Sequence, residues 1–178
     1  MPTMTLTVAS IGSESVGGWS PSSGTNTLVI QSDDGTTSSG SSYSSSSTNN
    51  GTLSDIVMSN PTVASGDVAS ITSVRFLGTG RCASRGSSGS DVDIDFDTPS
   101  GFSETLNFFN NVNYEVEYGT TRTAKPDSSA WSYSDIENLQ FNITKNGTAL
   151  VHLAYFAAEV VYVSAAVEDN AIFFGTNF

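Results

Sequence analysis

The sequence predicts an all-β protein, a jelly-roll-like antiparallel β-sandwich with one short helix and an extended N-terminal arm. Three observations predict it. Roughly seven or eight short apolar segments alternate with period two or are rich in β-branched residues. Gly- and Ser-rich stretches separate them at intervals of about 8–15 residues. Helical spacing is confined to one short segment, with no strand–helix–strand alternation and no internal repeat.

The chain has 178 residues, which fits one domain able to bury a core without a disulfide or metal staple. It carries 18 acidic residues against 6 Lys plus Arg, for a net charge of -12. That balance argues against a nucleic-acid binder, which needs clustered Lys and Arg. One Cys, Cys82, excludes an internal disulfide and any cysteine-built zinc or iron–sulfur site. No cofactor is expected. The first ten residues lack a basic stretch followed by an apolar run, so no cleaved signal is expected. The longest apolar stretch, Val151 to Val163, contains His152 and Glu159 and is too short to span a bilayer, so no membrane is expected either.

Residues 1–18 alternate Leu6, Val8 and Ile11 with polar residues and read as an N-terminal arm. The sandwich domain is expected over 19–166 and a tail over 167–178. Leu28-Val29-Ile30 is a short buried strand, and Asp33-Asp34-Gly35 a turn. Residues 36–52 are almost without apolar side chains. They read as a long surface loop, or strands flanking a flexible tip, with disorder the plainer reading. Leu53 to Met58 resumes apolar character and Asn60-Pro61 stops it. Asp67 to Leu77 is a strand with Val68, Ser70, Thr72, Val74 and Phe76 on one parity and Ile71 and Leu77 on the other. Gly78 to Ser90 reads as a Gly/Ser loop.

Asp91 to Phe96 alternates strictly, placing Val92, Ile94 and Phe96 inward and Asp91, Asp93 and Asp95 outward. Thr105 to Val112 and Tyr114 to Tyr118 are further strands, and Pro126-Asp127-Ser128 is a turn. Ile136 and Leu139 have helical spacing, with Ser134 or Asp135 as the N-cap, so a short helix should close one end of the sandwich. Ala149 to Ala166 is one long strand. The expected core includes Trp19, Val74, Phe76, Trp131, Ile136, Leu139 and Tyr162.

The residues do not spell out a reaction. A Ser–His–Asp arrangement would have to use His152, which reads more simply as a strand histidine held by a hydrogen bond. Cys82 lies beside Arg81 and near Arg85, and adjacent cations lower a thiol pKa. A buried structural Cys is the simpler reading. Asp33, Asp34, Asp91, Asp93 and Asp95 are weak candidates for a hard cation such as calcium. Alternate strand residues stand ~6.6–6.8 Å apart, too wide for three carboxylates to chelate one ion unaided. Solvated acids that guard against edge aggregation are the plainer reading. Trp19, Trp131, Tyr43 and Tyr133 could form a sugar-stacking platform, although aromatics of a sandwich are more often core. Phe173, Phe174 and Phe178 in the tail, and Tyr43 amid serines, are the candidate contact residues with another chain.

Three segments together resemble small structural proteins of tailed bacteriophages. One is Trp19 followed by Leu28-Val29-Ile30 and Asp33-Asp34-Gly35. A second is Ile71-Thr-Ser-Val74-Arg-Phe76, similar to an I-x-S-V-x-V strand. The third is Pro126-Asp-Ser-Ser-Ala-Trp131-Ser-Tyr-Ser-Asp135-Ile136-Glu-Asn-Leu139-Gln-Phe141, similar to P-x-T-G-x-x-W-T-x-x-D-I-x-x-L-x-x-G. Ser128-Ser129 stand where that pattern has Thr-Gly, and Asn142 where it has Gly. A Val/Tyr-rich strand, Val160 to Val163, follows as in those proteins. The resemblance spans about residues 19–163. It implies a non-enzymatic virion component with a jelly-roll-like fold and no catalytic residues to carry over. The expectation is a capsid decoration or cement protein in the virion. Its partners would be the major capsid protein and other copies of itself, a trimer among the options. A tail, baseplate or fibre component and a carbohydrate-binding, lectin-like module are the alternatives.

Overall fold

In the computed structural model the described residues are 1–14, 18–21, 25, 30, 44–46, 51–82, 91–108, 113–147 and 149–166. Among them are ten strands: β1 (Thr3–Glu14), β2 (Ser20–Pro21), β3 (Ser44–Ser46), β4 (Thr52–Met58), β5 (Val68–Cys82), β6 (Asp91–Thr98), β7 (Ser100–Asn107), β8 (Glu115–Tyr118), β9 (Gln140–Asn146) and β10 (Val151–Ser164). One helical turn, α1 (Tyr133–Glu137), precedes β9. All the strand pairs are antiparallel.

The long β-branched segment of the sequence, β10, organises the first sheet. β5 pairs along one of its sides, from Cys82 to Val68. The N-terminal half of β1 and the short β3 share the other side. β8 extends the sheet beyond β5, and β2 beyond β3. The second sheet runs β1, β4, β9, β6, β7. β1 belongs to both, pairing with β10 through Thr3–Thr7 and with β4 from Val8 onward, with a register shift between Val8 and Ser10. A strand that changes sheet at a bulge makes the corner of a sandwich.

Apolar side chains of the two sheets meet between them. The Phe76 ring lies 4.6 Å from Phe96, 4.8 Å from Phe141 and 5.2 Å from Phe156, so strands of both sheets converge on it. Tilted rings at such spacing satisfy the aromatic quadrupole as well as the packing. The expected core residues Trp19, Val74, Phe76, Trp131, Ile136, Leu139 and Tyr162 are all buried. The β6 alternation is as read: Val92, Ile94 and Phe96 are buried and Asp95 is exposed.

Several local expectations change. The segment read as an N-terminal arm is an integral strand, because Met4, Leu6 and Val8 all point into the core. Three of the serines read as loop form β3. The single parity read for Val68 to Phe76 breaks at Thr72. Tyr162 pairs with Ile71 while Val161 pairs with Ser73, so Thr72 is an extra residue and Ile71, Val74 and Phe76 are all buried. Gly78–Cys82 is strand rather than loop. A Cβ on Gly78 would stand 3.1 Å from Leu106 Cδ1, and one on Gly80 only 3.0 Å from Phe108 Cζ and 2.9 Å from the His152 carbonyl oxygen. These glycines clear space for neighbouring side chains and backbone instead of turning the chain. The β7 segment starts earlier than expected, at Ser100. Of the Leu28-Val29-Ile30 segment only Ile30 is described, and it is buried.

The helix cap also moves. Ser132 is the N-cap, and Asp135 is the third helical residue, completing a reciprocal capping box. Ile136 and Leu139 are buried as expected, while Gln140 already belongs to β9. The segment from Gly119 to Leu139 connects the edge of the first sheet to the middle of the second and covers that end of the core. Trp131 is buried there and donates its Nε1–H to the Arg122 carbonyl at 3.0 Å. At the opposite end Trp19 donates its Nε1–H to the Gly51 carbonyl, also at 3.0 Å. Each tryptophan buries its indole against the core and satisfies its one donor with backbone.

Replacing Trp131 by Ala should cost about 3–5 kcal/mol in a urea titration. Gly80→Ala should destabilise by about 1–3 kcal/mol, because neither the His152 carbonyl nor the Phe108 ring has room to retreat. A change within about 0.5 kcal/mol for either variant would contradict these placements.

Candidate functional site

Three polar clusters and two outer faces are the places where chemistry or contact could reside. The first cluster sits where β7 of the second sheet approaches the chain leaving β8. Arg122 exchanges backbone hydrogen bonds with Val74 at 3.0 and 2.9 Å. Its Nη2 lies 3.0 Å from Glu104 Oε2, which also accepts the Thr120 N–H at 2.8 Å. The guanidinium stands 4.1 Å from the Phe102 ring centre and 5.5 Å from that of Phe96. The pair is largely dry, with side chains 14% and 7% exposed for Arg122 and Glu104. Glu104 Oε1 and Arg122 Nε are buried with no hydrogen-bond partner. A Cβ on Gly119 would fall 2.3 Å from Glu104 Oε1, so a side chain there would have to displace the carboxylate from its place beside Arg122. This cluster joins the sheets.

The second cluster contains the one histidine. His152 is buried on β10, and Arg81 Nε donates to its Nδ1 at 3.2 Å. The Arg81 guanidinium also lies 5.3 Å from the Tyr114 ring centre. Burial, reinforced by the Arg81 charge, pushes the His152 pKa down to about 4. A catalytic triad needs Nδ1–H donating to a carboxylate, whereas this Nδ1 accepts from a cation. The histidine is thus the hydrogen-bonded strand residue of the simpler sequence reading. Cys82 is buried at the end of β5. Successive strand residues point to opposite faces, which turns Arg81 away from the thiol despite their adjacency in sequence.

The third cluster is Lys145, fully buried on β9, whose Nζ donates to the Gly147 carbonyl. Burial holds its ammonium below the ordinary lysine range. The sequence reading missed both Lys145 and the Glu104–Arg122 pair. For Lys145 a signal existed, since Phe141, Ile143 and Lys145 share one parity and the first two are apolar.

The outer face of the second sheet is acidic. Asp93 accepts from Thr105 Oγ1 at 2.6 Å and from Asn146 Nδ2. Asp97 Oδ1 accepts from Asn142 Nδ2 at 2.9 Å, and Asn142 Oδ1 accepts the Asp55 N–H at 2.9 Å. The acids are spread along β6 and held by amides and hydroxyls. Among the described residues no group of three or more His, Cys, Asp or Glu could hold a metal ion. Asp91 lies on β6 as expected. Asp33, Asp34, Tyr43, Phe173, Phe174 and Phe178 lie outside the described residues.

The outer face of the first sheet differs. Arg75 lies 4.3 Å over the Tyr118 ring centre and pairs with Glu159 at 2.6 Å. Tyr118 and Val163 are 52% and 41% exposed. A shallow groove beside them is lined by Thr3, Ser73, Arg75, Thr121, Glu159 and Val161. The suggested sugar platform is not assembled. Trp19 and Trp131 are in the core, and Tyr133 donates its hydroxyl to the Val63 carbonyl at 2.6 Å.

Arg122→Met should cost about 3–5 kcal/mol by leaving a buried carboxylate unpaired, and adding Glu104→Met should restore much of that loss in the same urea titration. For His152 the folded pKa lies below the unfolded value, so its contribution is present above about pH 6.5 and is lost as pH falls toward 4. His152→Gln keeps an acceptor for Arg81 and removes the titration. Its melting temperature should fall less than that of the wild type between those pH values, and parallel acid limbs would contradict the assignment.

Comparison with protein-family models, curated proteins and solved structures finds no match to this chain.

Proposed function

We propose that this chain is a non-enzymatic structural component of a virus particle, most simply a decoration or cement protein on the outside of a capsid. One observation carries the reading: the two outer faces of the sandwich are chemically opposite. The second sheet presents Asp93, Asp95 and Asp97 along β6, where hydroxyls and amides hold Asp93 and Asp97. Such a face stays hydrated and repels nucleic acid and its own copies. The first sheet presents Tyr118, Val163 and the Arg75–Glu159 pair, the apolar and aromatic chemistry that favours protein contact. A coat protein needs one face of each kind.

The resemblance to phage structural proteins supports the same reading. Several polar groups also act within the fold: His152 accepts from Arg81, Glu104 pairs with Arg122, and Asp135 caps α1. On this reading the partners are the major capsid protein and further copies of the chain.

Labelled imaging of particles carrying the protein tests the location. Label spread over the capsid surface is expected, whereas label at one vertex or along the tail would replace decoration by a tail, baseplate or fibre role. Sedimentation of the purified chain should show a homo-oligomer whose mass EDTA leaves unchanged. A strict monomer that binds a glycan array would favour the lectin alternative.

A further inference from the structure

The edge of the first sheet carries an inference about the partner. β8 pairs with β5 on one side only, and among the described residues nothing pairs with its other side. Gly119 N–H donates to the Phe76 carbonyl at 2.8 Å, and the register continues through Glu117 opposite Gly78 and Glu115 opposite Gly80. Antiparallel pairs alternate between bonded and non-bonded. The backbone groups of Glu115, Glu117 and Gly119 therefore face β5, and those of Val116 and Tyr118 face outward. The edge thus offers a ladder to an incoming strand.

The side chains of β8 say which strand. Val116 and Tyr118 lie on the outer face, where Arg75 covers the Tyr118 ring. Glu115 and Glu117 lie on the opposite face, the side of the Glu104 cluster. Burial and the Glu115 charge both push the Glu117 carboxyl above the ordinary range, so this face gains from an added cation. A second copy of β8 is a poor occupant. Residues directly opposite each other share a face, so antiparallel pairing centred on Val116 or on Glu117 sets glutamate against glutamate. The chain is also short of cations, with only 6 Lys plus Arg.

We propose that the free edge of β8 receives an extended segment of another protein in which Lys or Arg alternates with apolar residues. The basic side chains would meet Glu115 and Glu117, the apolar ones would cover Val116 and Tyr118, and the backbone would bond to Val116 and Tyr118. This rests on the reading above only in taking the first sheet as the attached side.

The test uses the full chain and two short labelled peptides, one alternating lysine with valine and one alternating glutamate with valine, followed by fluorescence anisotropy at physiological ionic strength. The lysine peptide should bind saturably and the glutamate peptide should not. Val116→Pro removes only an outward N–H, a position where an edge strand tolerates proline. It should weaken lysine-peptide binding about tenfold or more. Glu115→Lys with Glu117→Lys should reverse the preference toward the glutamate peptide. Absence of saturable binding, equal binding by the Val116→Pro variant, or an unchanged preference after the charge reversal would each overturn the proposal. Peptide binding does not depend on a particle, so its failure is separable from a failure of the imaging experiment.

Discussion

The Glu104–Arg122 ion pair joins the two sheets on the side where no described strand passes between them. On the other side β1 does this covalently, by pairing first with β10 and then with β4. A sandwich closed on one side by backbone and open on the other would hinge, exposing Phe76, Phe96 and Phe141. Arg122 prevents this through several bonds at once. Its backbone is pinned to Val74 of the first sheet, its guanidinium to Glu104 of the second, and its carbonyl to Trp131 of the connecting segment. A hydrophobic pair would fill the same space, yet would not fix the angle between three elements. Glycine at position 119 is the steric counterpart, since a side chain there would push the Glu104 carboxylate off Arg122.

The interior follows from the same geometry. With the sheets held at a fixed distance, side-chain volumes must match the gap. Phenylalanine supplies the bulk at the centre, and glycine supplies the relief where Phe108 lies over β5. The ends are closed by tryptophans whose indole N–H groups reach main-chain carbonyls. Buried polar atoms are costly when unpaired, and here the largest apolar side chains double as donors that satisfy backbone acceptors.

What the sequence made legible was local alternation. The strict DVDIDF pattern of β6, the β-branched run of β10 and the Trp131 to Leu139 segment each encode their own burial, so the fold class and part of the core were readable. Apart from the helix cap, the main misreadings involve residues whose role depends on a neighbour far along the chain. Gly78 and Gly80 look like turn glycines until Phe108 is placed against them. Thr72 looks like a core-facing residue until the register against β10 makes it a bulge. Residues 3–14 look like an arm because Leu6, Val8 and Ile11 give only a weak alternation, and only the pairing with both β10 and β4 shows them to be a corner. The candidate site was the least legible part. Neither Glu104 nor Arg122 lies in a motif, and their pairing is a product of the assembled sandwich.

The charge balance acquires a sharper meaning once each base is located. Five of the six basic residues are described, and each is engaged internally: Arg75 with Glu159, Arg81 with His152, Arg122 with Glu104, Lys125 with Asp135, and Lys145 with the Gly147 carbonyl. Acids of β6 are held instead by hydroxyls and amides, Asp93 by Thr105 and Asn146 and Asp97 by Asn142. Copies of the chain repel one another wherever these acids meet, so like faces do not stack. On the proposed reading, association would use the first sheet, where Tyr118 and Val163 offer exposed apolar area, and a partner that brings cations. On the proposal made for β8, the scarcity of Lys and Arg becomes a specificity device, because the cations that meet Glu115 and Glu117 come with the partner.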